Sequence, residues 1–351
     1  MPEQRLKILS ATCQRNEGPF LLEWLAYHRL IGVTDFVVFS NDCEDGSDHL
    51  LTTLQGHGLL RHIPHQVEPG KSVQWQALQQ LGKDRVARDA DWLLFSDIDE
   101  FPMIHAGAHR LPDAIAALPP GTDAIALPWR LFGANGIAGF QDLPVIAQFT
   151  RSAPPTLYHP IAGRHFKTLY RPDAFQKPGV HRPKRKPSAP LPQWADGAGQ
   201  PLPERFAERD DLISFPQLAQ GRSVVELHHY SLRSAESFLV KTARGLANRR
   251  VKPIDLAYWV ERNFNSEPNA AMQVWTEPLA REITALRSLP DVAALHDAAC
   301  VWHRKRAAEL MRTGAGYRLF CDCLHAANSA TLSRDLALRL YGLFAELGPD
   351  Q

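Results

Sequence analysis

The first hundred residues exchange short apolar runs for helical stripes in regular alternation. Leu6 to Cys13 reads as a strand, and Phe20, Leu21, Trp24, Leu25 and His28 then recur at three- and four-residue spacing, one face of a helix. Asp35 to Ser40 holds the run Phe36 to Phe39, suited to a strand buried on both sides. Asp45 or Ser47 is placed to cap a helix carrying Leu50, Leu51 and Leu54, which stops near Gly56 and Gly58. Leu59 to Ile63 predicts a third strand and Gln74 to Ala87 a helix. Trp92 to Phe95 predicts a fourth strand, running straight into Ser96, Asp97, Ile98, Asp99 and Glu100. Strands that alternate with helices specify βαβ crossovers and a mostly parallel sheet.

Further along, Ala124 to Trp129, His165 to Arg171 and Ser223 to Tyr230 are strand candidates. Residues 182–203 break the pattern with Pro183, Pro187, Pro190, Pro192, Pro201 and Pro203 around Lys184, Arg185 and Lys186. Proline removes donors and fixes φ, so the segment is expected to be a basic loop or lid and not a packed element. Ser234 caps a helix reaching about Asn248. Beyond Ile254 the pattern is helical: Leu256 to Val260, Leu279 to Leu286, Val292 to Met311 and Ser329 to Leu347. The division expected is residues 1–250 as a catalytic α/β domain and 251–351 as a helical C-terminal region, covering the acceptor side or forming a dimer contact.

Bulk composition changes this picture little. Hydrophobic residues are 44% and charged residues 22% of 351, which suits a packed globular chain. A formal charge of +1 gives no global field for nucleic acid or a membrane, so anions must be met by local clusters. The opening apolar run, interrupted by Lys7 and Ser10, is too short and polar for a signal peptide, and no segment reaches the roughly 18 apolar residues of a membrane span. Five scattered cysteines do not describe a disulfide framework. The expectation is a cytoplasmic enzyme, with peripheral membrane contact and oligomeric state left open.

The candidate chemistry lies at the end of the fourth strand. Asp97, Asp99 and Glu100 stand where open α/β sheets bind ligands, beyond the carboxyl ends of strands. Side chains two apart on a strand face the same way. Two carboxylates about 4 Å apart repel by roughly 4 kcal/mol at an effective dielectric of 20, a cost that a shared cation would remove. Oxygen ligands of this kind suit Mg²⁺ or Mn²⁺ with positions left open for phosphate oxygens. The competing reading is a solvated acidic turn.

Eight pieces, in order, resemble the glycosyltransferase family 2-like proteins related to glycosyltransferase family 92: Arg15 to His28, Ser40 to Ser47, Asp97 to Phe101, Trp129 to Gly133, Lys167 to Arg171, Val180 with His181, His229 to Ser234, and Lys241 to Gly245. The resemblance spans roughly residues 6 to 250. It implies a GT-A fold: a Rossmann-like, mixed, mostly parallel sheet flanked by helices, here with a helical C-terminal extension. It also implies a transferase that moves a sugar from a nucleotide-sugar donor, UDP-linked at the family level, to a hydroxyl of a glycan or cell-envelope acceptor, as in polysaccharide biosynthesis. On this reading Arg15, Asn16, Glu17, Asn41 and Asp42 border the nucleotide, and Asp97, Asp99 and His229 hold the metal. Lys167, Lys241 and Arg244 contact the donor, with Asn248 on the same helical face. Glu100, Trp129 and His181 meet sugar or acceptor. His228 and His229 face opposite sides of one strand, so only one can enter the site, while Trp24 and His28 lie on an apolar stripe and read as core.

Inversion at an anomeric carbon needs a carboxylate to take the acceptor's proton; Asp142 and Glu226 are the candidates, though both also suit structural roles. Two other readings stay open. A metal-dependent nucleotidyltransferase or phosphohydrolase could use the same sheet, but Cys13 to Pro19 holds a single glycine where a phosphate-cradling loop would be expected. A non-catalytic carbohydrate- or nucleotide-binding protein could keep the fold without turnover.

Overall fold

The computed structural model describes residues 6–66, 68, 71–214, 221–244 and 254–347. Nine strands form the main sheet: β1 (Ile8–Gln14), β2 (Asp35–Ser40), β3 (Arg61–Pro64), β4 (Trp92–Phe95), β5 (Glu100–Ile104), β6 (Ala124–Leu131), β7 (Phe166–Tyr170), β8 (Trp194–Ala195) and β9 (Val225–His229). Their order is β3-β2-β1-β4-β7-β6-β9-β5, with β8 beside the start of β6. The first four run parallel, β7 is antiparallel to both neighbours, β9 is parallel to β6, and β5 returns antiparallel on the edge. The layout expected of a GT-A-type domain is the one observed.

Alternation along each strand builds two cores. Ile8, Phe36, Val38, Leu94, Ile125 and Leu127 point to one face, where helices α1 (Gly18–Leu30) and α2 (Ser47–Gly56) pack. Leu9, Ala11, Val37, Phe39, Leu93 and Phe95 point to the other, toward α3 (Val73–Leu81). Both faces are covered, which is why these strands read as continuous apolar runs. Helix α4 (Ala235–Arg244) follows β9; its start is capped by Ser234 Oγ, which accepts the Ser237 N–H. The expected extension of this helix through Leu246 to Asn248 lies outside the described residues. The C-terminal part forms α5 (Thr276–Arg287), α6 (Val292–Met311), α7 (Gly314–His325) and α8 (Arg334–Leu347). Trp275, Leu279, Leu286, Val292 and Cys300 enter the same core as α1, so this region packs directly on the sheet domain. Among the described residues, no helix is long and apolar enough to cross a membrane.

Several expectations are corrected. The helix foreseen over Gln74 to Ala87 is broken after Leu81, and a short helix, Arg85–Arg88, restarts behind Asp84, whose carboxylate accepts the Val86 N–H. Neither Asp45 nor Ser47 occupies the N-cap of α2, which falls to Gly46; Asp45 instead accepts the N–H groups of Gly18 and Ser47, joining the starts of α1 and α2. Residues 182–203 are not a detached loop. Trp194 and Ala195 pair with β6, and Trp194 is buried against Phe175 and Phe206. The buried Arg182 guanidinium stacks on the rings of Trp194 and Phe206, which anchors the proline-rich chain between its short paired stretches.

Candidate active site

A cleft of about 730 Å³ opens at the carboxyl ends of the central strands. Its wall includes Arg15 and Glu17 after β1, Asn41 after β2, Asp97 and Asp99 after β4, Trp129 on β6, His181, His229 at the end of β9, and Lys241 and Arg244 on α4. The structure thus gathers ten of the residues singled out from the sequence. Glu100, Lys167, Asn16, Asp42, Asp142 and Glu226 do not line it.

Strand β4 ends at Phe95, so Asp97 and Asp99 occupy the turn into β5, where both line the cleft but take different partners. Asp97 keeps about a third of its side chain exposed and accepts from Gln74 Nε2 at 2.9 Å and Lys167 Nζ at 3.2 Å. Asp99 is buried; Lys241 Nζ donates to its Oδ2 at 2.8 Å, and His229 Nε2 stands 3.5 Å from its Oδ1. Burial alone would raise the Asp99 carboxyl, but Lys241 and His229 hold it well below the usual carboxylate range. Each aspartate thus has its own lysine counter-charge, Lys167 for Asp97 and Lys241 for Asp99.

Glu100 lies beneath this turn with no exposed surface. Its Oε2 accepts the Asp97 N–H at 2.8 Å and sits 3.4 Å from Lys167 Nζ. Burial pushes its carboxyl up to about 8, with Lys167 opposing and Asp97 and Asp99 reinforcing. The expected sugar contact by Glu100 and donor contact by Lys167 are corrected: both are sealed below the cleft and hold Asp97 in position.

A second buried cluster fixes the opposite wall. Glu17 receives Arg233 Nη1 at 2.6 Å and an ion pair from Arg244, whose Nη1 also donates to the Arg15 carbonyl at 2.7 Å. Burial would raise Glu17, but the two guanidiniums keep it low. Arg233 also covers the Phe20 ring at 3.4 Å. Arg15 reaches the Asp42 carbonyl at 3.1 Å and Glu44 at 3.0 Å, and Asn16 Oδ1 accepts the Glu44 N–H at 2.7 Å. Asn16 and Asp42 both adopt left-handed backbone, at φ 54° and 46°, which Asn and Asp tolerate better than most residues. Their side chains brace the loops after β1 and β2 instead of meeting the cleft.

Aromatic rings form the remaining wall. Trp129 lies with its centroid 4.2 Å from His229, 5.2 Å from His165 and 5.6 Å from His181. Burial lowers the His229 pKa while Asp99 opposes, and its Nδ1 finds no hydrogen-bond partner among the described residues. His228, on the other face of β9, is buried against Glu226 at 3.1 Å.

Neither candidate base is at the cleft. Glu226 shares the face of His228 and is buried among Arg222, His105 and His228. Asp142 pairs with His296 and Arg287. The sequence pattern did not point to Gln74, to residues 159–162 and 211–214, or to the C-terminal Tyr258, Glu261, Arg262, Tyr341 and Phe344, all of which line the cleft, nor to Arg233, which braces Glu17 behind its wall. Arg233 lay inside a quoted motif; for the C-terminal residues no local signal existed.

For a cation, Asp99 and His229 fit as a two-ligand mount: their donor atoms are 3.5 Å apart and border open space. Asp97, Asp99 and His229 do not converge within 4.8 Å as a set of three. Two protein ligands with phosphate oxygens completing the shell is the normal way Mg²⁺ is held beside a nucleotide.

Comparison with known proteins gives the site its context. The crystal structure of S. aureus TarS 1–349 aligns over 92% of this chain and 89% of that one, at 13% identity and a TM-score of 0.33. A glycosyltransferase family 92 protein of Oryza sativa subsp. japonica is 28% identical over 173 residues, 47% of this chain and 26% of that protein. One from Ricinus communis is 33% identical over 110 residues, 30% of this chain and 18% of that protein. The chain therefore spans about a quarter or less of the length of these relatives. The family model for glycosyltransferase family 92 matches residues 11–188, from β1 past the Asp97–Asp99 turn to His181. With just over half of its length matched, this chain belongs to glycosyltransferase family 92.

Proposed function

We propose that the chain transfers a sugar from a UDP-linked donor to a hydroxyl of a glycan or cell-envelope acceptor, with Mn²⁺ or Mg²⁺ held by Asp99 and His229. The observation that carries this reading is the pairing of buried Asp99 with His229, 3.5 Å apart, on the wall of a cleft that Lys241 and Arg244 also line. A bound divalent cation supplies Lewis-acid stabilisation of the departing diphosphate, worth several kcal/mol. Asp97, oriented from below by Lys167 and Glu100, presents its open face to the nucleotide. Lys241 sits between Asp99 and the Ser231 carbonyl, within reach of phosphate once a donor competes for it. Arg244 is held to Glu17, which presets the guanidinium at the cleft wall without side-chain entropy to lose on binding.

The Trp129 ring, flanked by His165, His181 and His229, offers an apolar face of the kind a sugar ring stacks on. For inversion, the proton acceptor is assigned to a carboxylate on the wall of the cleft. Glu261 fits that position, being more exposed than the buried Glu17, whereas both oxygens of Asp211 are taken up by Arg209. The domain division proposed keeps residues 1–250 as the catalytic unit, with 251–351 closing the acceptor side.

The test is incubation with Mn²⁺ and a panel of sugar nucleotides, following the phosphate product. Release of a nucleoside diphosphate together with a glycosylated acceptor supports transfer. Release of monophosphate or pyrophosphate points to a phosphohydrolase or nucleotidyltransferase. Metal-independent nucleotide binding without turnover favours a binding protein.

A further inference from the structure

On the far side of the α1 layer, a second group of metal-ligating atoms stands apart from the cleft. Asp142, His296 and Cys300 bring one carboxylate oxygen, one imidazole nitrogen and one sulfur within 4.8 Å of each other, and none of the three lines the cleft. His296 and Cys300 are four residues apart on α6, the spacing that puts two side chains on one helical face. Asp142 arrives from the loop after β6. We propose that these three residues form a zinc-class metal site with one coordination position open to solvent.

The spacing supports it. Zn–N near 2.0–2.1 Å and Zn–S near 2.3 Å place neighbouring tetrahedral ligand atoms about 3.3–3.6 Å apart. Here His296 Nε2 is 3.0 Å from Asp142 Oδ1 and 3.6 Å from Cys300 Sγ. One nitrogen thus faces both other donors, as ligands around a common centre do. The mixed N, O and S set suits Zn²⁺ and not the oxygen-seeking Mg²⁺ or Mn²⁺ of the cleft. His296 and Cys300 are buried, while Asp142 is exposed, which leaves a path for the ion.

The neighbouring charges set conditions. Arg287 lies 3.5 Å from the other oxygen of Asp142 and 2.6 Å from Asp297, so Oδ1 remains available. Arg304, on the same helix as His296, covers the Phe140 ring. With Asp142 and Cys300 both deprotonated, a divalent cation neutralises the pair. An ordinary thiol carries its proton at pH 7, so a cation that binds through the Cys300 sulfur must release that proton to solvent. The site would clip α6 to the loop after β6, whose Phe140 N–H is held by Glu236 at the start of α4 and whose Val145 and Ile146 N–H groups are held by Glu23 of α1.

The test uses the full chain stripped with a chelator and then titrated with Zn²⁺ against a chromophoric competitor, and separately with Co²⁺ as a spectroscopic probe. Wild type is expected to bind one Zn²⁺ tightly, to release a proton at pH 7 and to show a thiolate-to-cobalt charge-transfer band. Cys300→Ser is expected to lose the band and at least tenfold in Zn²⁺ affinity, and Asp142→Asn at least tenfold in affinity. Asp99→Ala, and a double Cys321→Ser, Cys323→Ser variant, should keep both signals, which separates this site from the cleft and from the other thiols. Circular dichroism confirms folding of each variant, and zinc should raise the melting temperature of wild type but not of Cys300→Ser. The absence of a thiolate band in wild type, or equal Zn²⁺ affinity in Cys300→Ser, overturns the proposal without touching the reading of the cleft.

Discussion

Replacing Lys167 by methionine probes the support of the catalytic turn directly. Lys167 Nζ is wholly buried, 3.2 Å from Asp97 and 3.4 Å from Glu100. At an effective dielectric of 20 its attraction to the Asp97 carboxylate is about 5 kcal/mol, much of it offset by the cost of burying the ammonium. Removing one partner of a buried pair costs about 3–5 kcal/mol because the other charge is stranded. Glu100 escapes part of that penalty by keeping a proton, since burial already lifts it to about 8. The expected loss at pH 7 is therefore near the lower end, about 3 kcal/mol. Without Lys167 the folded-state value of Glu100 moves above 8, further from that of the unfolded chain. Above pH 8 the folded wild type gives up this proton, while the folded variant retains one that its unfolded chain has released. Stability of the variant must then fall relative to wild type by up to about 1.4 kcal/mol per pH unit. Urea denaturation of both proteins from pH 6 to 9.5 measures this, and adding Glu100→Gln to the variant should abolish the pH-dependent part. A loss under about 1 kcal/mol at pH 7, or a difference that stays flat above pH 8, refutes the reasoning.

Other consequences are equally specific. Glu17→Gln leaves the Arg233 and Arg244 guanidiniums facing a neutral amide and should cost about 3 kcal/mol in urea denaturation at pH 7. Because Glu17 is held below its ordinary value, its contribution in wild type is present above the unfolded carboxyl value and fades as pH falls through the folded one, so the deficit should shrink at acid pH. Trp129→Phe should lose less than about 2 kcal/mol, since the indole N–H has no hydrogen-bond partner among the described residues, while steady-state kinetics should show a several-fold rise in KM for donor or acceptor. Glu226→Gln should weaken folding through loss of its Arg222 and His228 contacts yet keep turnover per folded molecule within about twofold; a hundredfold fall in kcat with an intact fold would return the base to Glu226.

Much of this fold could be read from residue order because the central strands are buried on both faces. Trp92 to Phe95 and Asp35 to Ser40 are continuous apolar runs, and the structure ends them where the pattern ends. β5 escaped notice because Pro102 interrupts Glu100 to Ile104. An edge strand with one neighbour accepts proline where an inner strand does not, and among the described residues β5 pairs only with β9. α7 was missed because Gly314 and Gly316 open it, and the proline segment hid Trp194, whose burial depends on Phe175 and Phe206. At the cleft, the Asp97–Asp99 pair was visible as a motif, but its counter-charges were not. Lys167 and Lys241 arrive from positions 70 and 142 residues away, and pairings across such distances leave no mark on local spacing. That is also why Glu100 and Lys167 resembled ligand contacts and proved to be the buried support beneath them.

The account rests on Asp99 and His229 as the mount for a divalent ion, with Asp97 serving the nucleotide from a separate position. Calorimetric titration of UDP into wild type, Asp99→Asn, His229→Gln and Asp97→Asn, each with and without Mn²⁺, separates these roles. Mn²⁺ should tighten UDP binding to wild type, Asp99→Asn and His229→Gln should lose that enhancement, and Asp97→Asn should bind UDP more weakly while keeping it. Full Mn²⁺ enhancement in Asp99→Asn would contradict the central claim.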